Sequence, residues 1–143
     1  MFWLVGQQSV NHNKLSPHLQ TKYLPLGEIL QQAGLLSSGN IRQALKIQKQ
    51  YQDYRFGEIL IEQGYLPSET INFFVNDLPE LMQSNHRLRL GDYFNNAGLL
   101  LPEQISEALK QQYLTQRKFG EIITQRGWVN PGTLNWFVNL QNA

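Results

Sequence analysis

The sequence predicts an all-α fold of four helix-turn-helix repeats packed as two tandem pairs, and three observations lead there. First, one pattern is written four times: LGEILQQAGLL from Leu26, FGEILIEQGYL from Phe56, LGDYFNNAGLL from Leu90 and FGEIITQRGWV from Phe119. Second, apolar residues recur at helical spacing, as Ile105, Ala108 and Leu109 do before Gln112. Third, β-branched content is low and alternating stretches are missing, which argues against a sheet. A lone pair of short helices cannot bury its apolar face, so neighbouring copies must pack on one another.

The segment before the first copy, residues 1–22, reads as an N-terminal arm. Phe2, Trp3, Leu4 and Val5 are apolar, but the stretch is too short for a signal peptide core and lacks a basic leader. Aligning the copies on Gly27, Gly57, Gly91 and Gly120 gives spacings of 30, 34 and 29 residues. The long middle interval divides residues 23–78, a first pair, from residues 89–143, a second pair, with a linker at 79–88.

Within each copy the first helix runs from the Leu/Phe-Gly start to a second glycine, Gly34, Gly64, Gly98 or Gly127. Helices commonly end in a left-handed residue, a conformation that costs glycine least. An apolar pair then crosses the turn: Leu35-Leu36, Tyr65-Leu66, Leu99-Leu100, Trp128-Val129. Residues that start helices well follow, at Ser37-Ser38, Pro67-Ser68, Pro102-Glu103 and Asn130-Pro131. Adjacent aromatics, Phe73-Phe74 and Trp136-Phe137, cannot both face one helix's core stripe, so at least one of each is expected to be exposed or to bury itself between copies, with burial between copies the favoured outcome.

Composition narrows function. With 143 residues, 41% of them apolar, the chain can bury a core. Twelve Lys and Arg against 11 Asp and Glu give no field for a polyanion or an acidic membrane. Basic runs at His86-Arg87-Leu88-Arg89 and Arg117-Lys118 are too short to make nucleic acid the expected partner. The absence of cysteine removes disulfides and thiolate zinc sites and fits the cytoplasm. His12, His18 and His86 lack metal-ligand spacing, and no phosphate loop or nucleophile elbow is present. No metal, cofactor or catalytic residue is expected, and no membrane insertion; the chain reads as a binder rather than an enzyme.

Three columns of the repeat bear on binding. Position four is always a carboxylate, Glu28, Glu58, Asp92 or Glu121, which complements a helix dipole and needs no catalytic role. Position one is Pro25, Arg55, Arg89 or Lys118; a guanidinium at a helix start can reach a guanine edge or a phosphate. Position twenty-four is Gln48, Leu78, Gln112 or Gln141, an amide at the end of an apolar stripe, suited either to a flat heteroaromatic ligand or to a plain helix end.

This 24-residue pattern resembles the MshEN domain, found at the N-terminus of type II secretion and MSHA-pilus assembly ATPases. In that family two motifs five residues apart bind cyclic di-GMP. The second pair fits best, with Arg89, Leu90, Gly91, Ile105, Leu109 and Gln112, then five residues, then Lys118, Phe119, Gly120, Leu134, Val138 and Gln141. The resemblance implies that Arg89 meets a guanine or phosphate, Gln112 and Gln141 donate amides, and Leu90, Ile105, Leu109, Phe119, Leu134 and Val138 form an apolar floor. The first pair departs further, at Pro25, Phe56 and Leu78 and in a spacer of six, so Gly27, Ile41, Leu45, Gln48, Arg55, Gly57, Ile71 and Val75 are expected to be mainly scaffold. Of these, Arg55, Gly57 and Gln48 mark a weaker second site. A protein partner is expected to receive the signal; the rival expectation is a protein-interaction module with no nucleotide.

Overall fold

The computed structural model describes residues 25–143 and is all-helical, with no strand among them. The arm, with Phe2, Trp3, Leu4, Val5, His12 and His18, lies outside the described residues. Copy 1 forms α1 (Leu26–Gln32) and α2 (Ser38–Gln50). Copy 2 forms α3 (Phe56–Glu62) and α4 (Ser68–Asn72), which continues through a π-helical turn (Phe73–Asp77) into α5 (Leu78–Gln83). Copy 3 is α6 (Leu90–Asn96) and α7 (Pro102–Thr115); copy 4 is α8 (Phe119–Gln125) and α9 (Pro131–Asn142).

The helix ends follow from local chemistry. Gly34, Gly64, Gly98 and Gly127 all take φ between +70° and +74°, the left-handed turn that stops the first helix of each copy. Ser37 Oγ accepts from the Asn40 amide and Asn130 Oδ1 from that of Thr133, satisfying donors that a helix start leaves open. The second member of each turn pair, Leu36, Leu66, Leu100 or Val129, is buried, and the first is half-buried.

One hydrophobic cluster draws on all four copies. Its centre is aromatic: the Phe137 ring of α9 lies 5.9 Å from Phe73, 6.2 Å from Phe74, 5.9 Å from Tyr93 and 4.9 Å from Phe94. Phe74 also stands 5.4 Å from the half-buried Trp136. Copies 2, 3 and 4 therefore bury their rings against one another, the burial between copies that the adjacent aromatics predicted. Phe73 and Phe74 are both fully buried, because the π-helical turn winds the chain wider than an α-helix and brings both rings inward.

The copies also touch at their turns. Thr70 Oγ1, at the start of α4, donates to the Ala97 carbonyl at the end of α6, 2.7 Å away. Asn130 Nδ2, before α9, donates to the Gly34 carbonyl after α1 at 3.1 Å. So copy 2 meets copy 3, and copy 4 meets copy 1, through the same parts of the repeat.

Residues 79–88 are not a plain linker. They are helical to Gln83, and Leu78 and Met82 on α5 are buried in the core. Pro79 follows directly on the π-helical turn, and the helical run continues through it to Gln83. Asn85, with φ of 56°, ends the helix, and Arg87 Nε donates to the Ala143 carbonyl at 3.1 Å.

Candidate functional site

The position-three glycine and the position-seventeen side chain meet in every copy. A Cβ added at Gly27 would lie 3.7 Å from Ile41, at Gly57 2.8 Å from Ile71, at Gly91 3.3 Å from Ile105, and at Gly120 3.0 Å from Leu134. In copies 2, 3 and 4 the glycine is what lets the two helices cross this closely, whereas 3.7 Å at Gly27 is ordinary contact. First helices also pack on each other, since the same test puts Gly27 3.1 Å from Phe56 and Gly91 3.6 Å from Phe119. The third- and seventeenth-position residues thus meet in each copy, near the start of its first helix.

On the first pair the surface there is concave. A hollow of about 260 Å³ opens on copy 1, between Gly27 and Glu28 of α1 and Ile41, Leu45 and Gln48 of α2, with Phe56 at its edge. A second, of about 230 Å³, opens on copy 2 between Arg55, Gly57, Glu58 and Ile61 on one side and Ile71, Asn72, Val75 and Asn76 on the other. Consecutive residues, Arg55, Phe56 and Gly57, line the two, so they stand side by side. Each alone falls short of the roughly 300 Å³ at which ligand pockets begin. The spacer between these two motifs is six residues long. Its extra length is taken up in the loop before Arg55, where Tyr54 N–H donates to the Tyr51 carbonyl and Gln48 Nε2 to the Tyr54 carbonyl.

Arg55 is exposed at the N-terminal cap of α3. Its backbone N–H donates to Glu58 Oε1 at 2.9 Å, which occupies that carboxylate with the helix start. Lys118 and Glu121 repeat the arrangement at 3.3 Å. Among the described residues the ion pairs are Arg117–Glu121 and Arg126–Glu107, so neither Arg55 nor Arg89 has a carboxylate partner.

The second-pair residues are distributed differently. Leu90, Gly91, Ile105, Phe119, Gly120, Leu134, Val138 and Gln141 are half-buried, and Gly91, Ile105 and Phe119 are in contact. Arg89, Gln112 and Lys118 are exposed. Leu109, expected in an apolar floor, is 52% exposed, because it lies on the outward side of α7 with Tyr113. The glutamine column has a structural use as well: Gln141 Nε2 donates to the Leu88 carbonyl, as Gln48 does to that of Tyr54. Both bonds hold a helix end to the residue just before a position-one arginine, leaving the amide oxygens free to accept.

The polar lining of the copy 2 hollow escaped the repeat columns. Asn72 and Asn76 sit one turn apart, and Asn76 Nδ2 donates to Asn72 Oδ1 at 2.7 Å. Their spacing beside Ile71 and Val75 was the available signal.

Among the described residues, Asp77 is the group whose titration is displaced. Burial, and secondarily the charge of Glu80, raise its carboxyl above the ordinary value of 3.8. It belongs to the π-helical turn rather than to either hollow. Among the described residues no group of His, Asp and Glu is placed to hold a metal, and no helix is long and apolar enough to cross a membrane.

Comparison with known proteins adds one relative. The chain is 35% identical over 126 residues to an uncharacterized protein of Picosynechococcus sp., a match covering 88% of this chain and 68% of that one. Fewer residues lie outside the match than one copy contains, so it reaches into all four copies. No family model and no solved structure matches.

Proposed function

The chain belongs to one family with the Picosynechococcus protein, and we propose that it is a non-enzymatic, cytoplasmic regulatory protein of two MshEN-like tandem pairs that binds cyclic di-GMP and signals to a protein partner. The resemblance of its repeats suggests the ligand. The observation that carries the reading is Arg55, an exposed guanidinium with no carboxylate partner among the described residues, standing where two apolar hollows adjoin. Each hollow can take one flat base: Gly57, Ile71 and Val75 floor one, while Gly27, Ile41 and Leu45 floor the other, with Gln48 and Asn72 offering amides. The arginine fork suits a phosphate or a guanine edge. On this reading the ligand sits on the first pair, although Arg89, Lys118 and Gln112 keep the fuller motif chemistry on the second.

Calorimetric titration with cyclic di-GMP tests this, with cyclic di-AMP and GTP as controls. A bidentate arginine contact contributes on the order of 1 to 3 kcal/mol of base discrimination in DNA recognition, so Arg55→Ala should weaken binding about tenfold or more. Arg89→Ala should change it little; the opposite pattern would move the site to the second pair. No heat at high micromolar ligand would sink the nucleotide reading. The protein-interaction module would then stand, and it has its own observation: Leu101, Leu109, Tyr113 and Leu114, all more than half exposed, lie on or beside α7.

A further inference from the structure

Apart from Glu28, Asp53 and Arg55, charge in the first pair is segregated. From Phe56 to Asn85 the sequence holds five carboxylates, Glu58, Glu62, Glu69, Asp77 and Glu80, and no Lys or Arg. On α2 the reverse holds: Arg42, Lys46 and Lys49 fall at i, i+4 and i+7, one exposed face with no carboxylate on the helix. None of these charges is ion-paired among the described residues, whereas Arg117 and Arg126 of the second pair are. On the same elements lie the exposed apolar residues of this pair, Leu45 (45%) on α2, Ile61 (38%) on α3, and Tyr51 and Tyr54 on the connecting loop, where Asp53 and Arg55 are their charged neighbours.

We infer that this face binds a second molecule of the same chain, the cations of α2 on one molecule opposing Glu58 and Glu62 of α3 on the other. A face with cations on one helix and carboxylates on another is self-complementary under a two-fold axis, so both contacts form at once. Alone, the molecule holds Glu58 and Glu62 one turn apart, where like charges repel, and three cations on one face of α2. A dimer neutralises both rows and covers Leu45 and Ile61. This face overlaps the proposed ligand site, Leu45 lining one hollow and Glu58 and Ile61 the other, so the dimer is tested without nucleotide: reversal of Lys46 and Lys49 probes the dimer, and Arg55→Ala, titrated separately, probes the ligand.

Sedimentation velocity on the full chain, at about 0.01 M and about 1 M salt, tests it, because screening falls between these from about 30 Å to about 3 Å. The wild type should be dimeric at low salt and dissociate at high salt. Lys46→Glu with Lys49→Glu, and separately Glu62→Lys with Glu58→Gln, should each weaken the dimer by roughly tenfold or more at low salt; Gln at 58 keeps an acceptor for the Arg55 amide. An equal mixture of the two variants regains opposite charges at both contacts and should dimerise. A wild type that stays monomeric at low salt up to its highest soluble concentration overturns the proposal. So does a dimer indifferent to salt and to both reversals.

Discussion

Thr70 and Thr133 occupy the same position of the repeat, thirteen residues beyond the glycines Gly57 and Gly120, and both are buried. Their hydroxyls fare differently. Thr70 Oγ1 donates to the Ala97 carbonyl across a junction between copies, while Thr133 Oγ1 has no partner among the described residues, the Gly34 carbonyl having been taken by Asn130. Removing one side of a buried hydrogen bond leaves the other desolvated, at about 1–3 kcal/mol, whereas replacing an unsatisfied hydroxyl with a methyl removes a penalty. Thr70→Val should therefore destabilise by roughly that amount and Thr133→Val should be neutral or stabilising, as urea midpoints will report. Equal losses at both positions would show that Thr133 has a partner after all.

At the scale of elements, α4 and α9 begin alike and then diverge at the π-helical turn. Copy 4 keeps a regular helix, and its Trp136 stays half-buried beside the buried Phe137; copy 2 widens, and both Phe73 and Phe74 go inside. The same turn carries Asp77 inward far enough to raise its carboxyl. A folded-state pKa above that of the unfolded chain means the native protein holds this proton more tightly. The stabilisation is full below the unfolded value of 3.8 and is lost as pH rises through the folded one. Asp77→Asn, which cannot ionise, should raise the melting temperature slightly at about pH 7 and not at about pH 3, by calorimetry. The four first helices and their stops were legible in the sequence, because Gly34, Gly64, Gly98 and Gly127 and the capping residues act locally. The π-helical turn and α5 were not: each depends on which rings and leucines the other copies present, and Pro79 mimics a linker although the helical run continues through it. The columns of residue types that define the candidate site were legible too. Which copies leave a hollow was not, since that depends on how far apart helices stand after packing.

The whole molecule can be tested for being one cooperative unit. The sequence suggests two pairs separated by a linker, and two domains so joined would unfold separately. The described residues instead share one core, in which Phe137 of copy 4 touches Phe73 and Phe74 of copy 2 and Tyr93 and Phe94 of copy 3. Leu78 and Met82 carry that core through the segment that might have been a hinge. Helices as short as α1, α3, α6 and α8 cannot persist once their neighbours leave, so loss of either pair should take the other with it. Unfolding followed by tryptophan fluorescence, weighted to copy 4 through Trp128 and Trp136, should coincide with the helix signal of all copies. Phe137→Ala sharpens the test, since truncating a fully buried Phe costs about 3–5 kcal/mol, a large share of the roughly 5–15 kcal/mol that holds a domain folded. In a single unit the variant shifts both signals together to lower urea. If the pairs were independent, only the fluorescence and part of the helix signal would move, and the first pair would keep its wild-type midpoint.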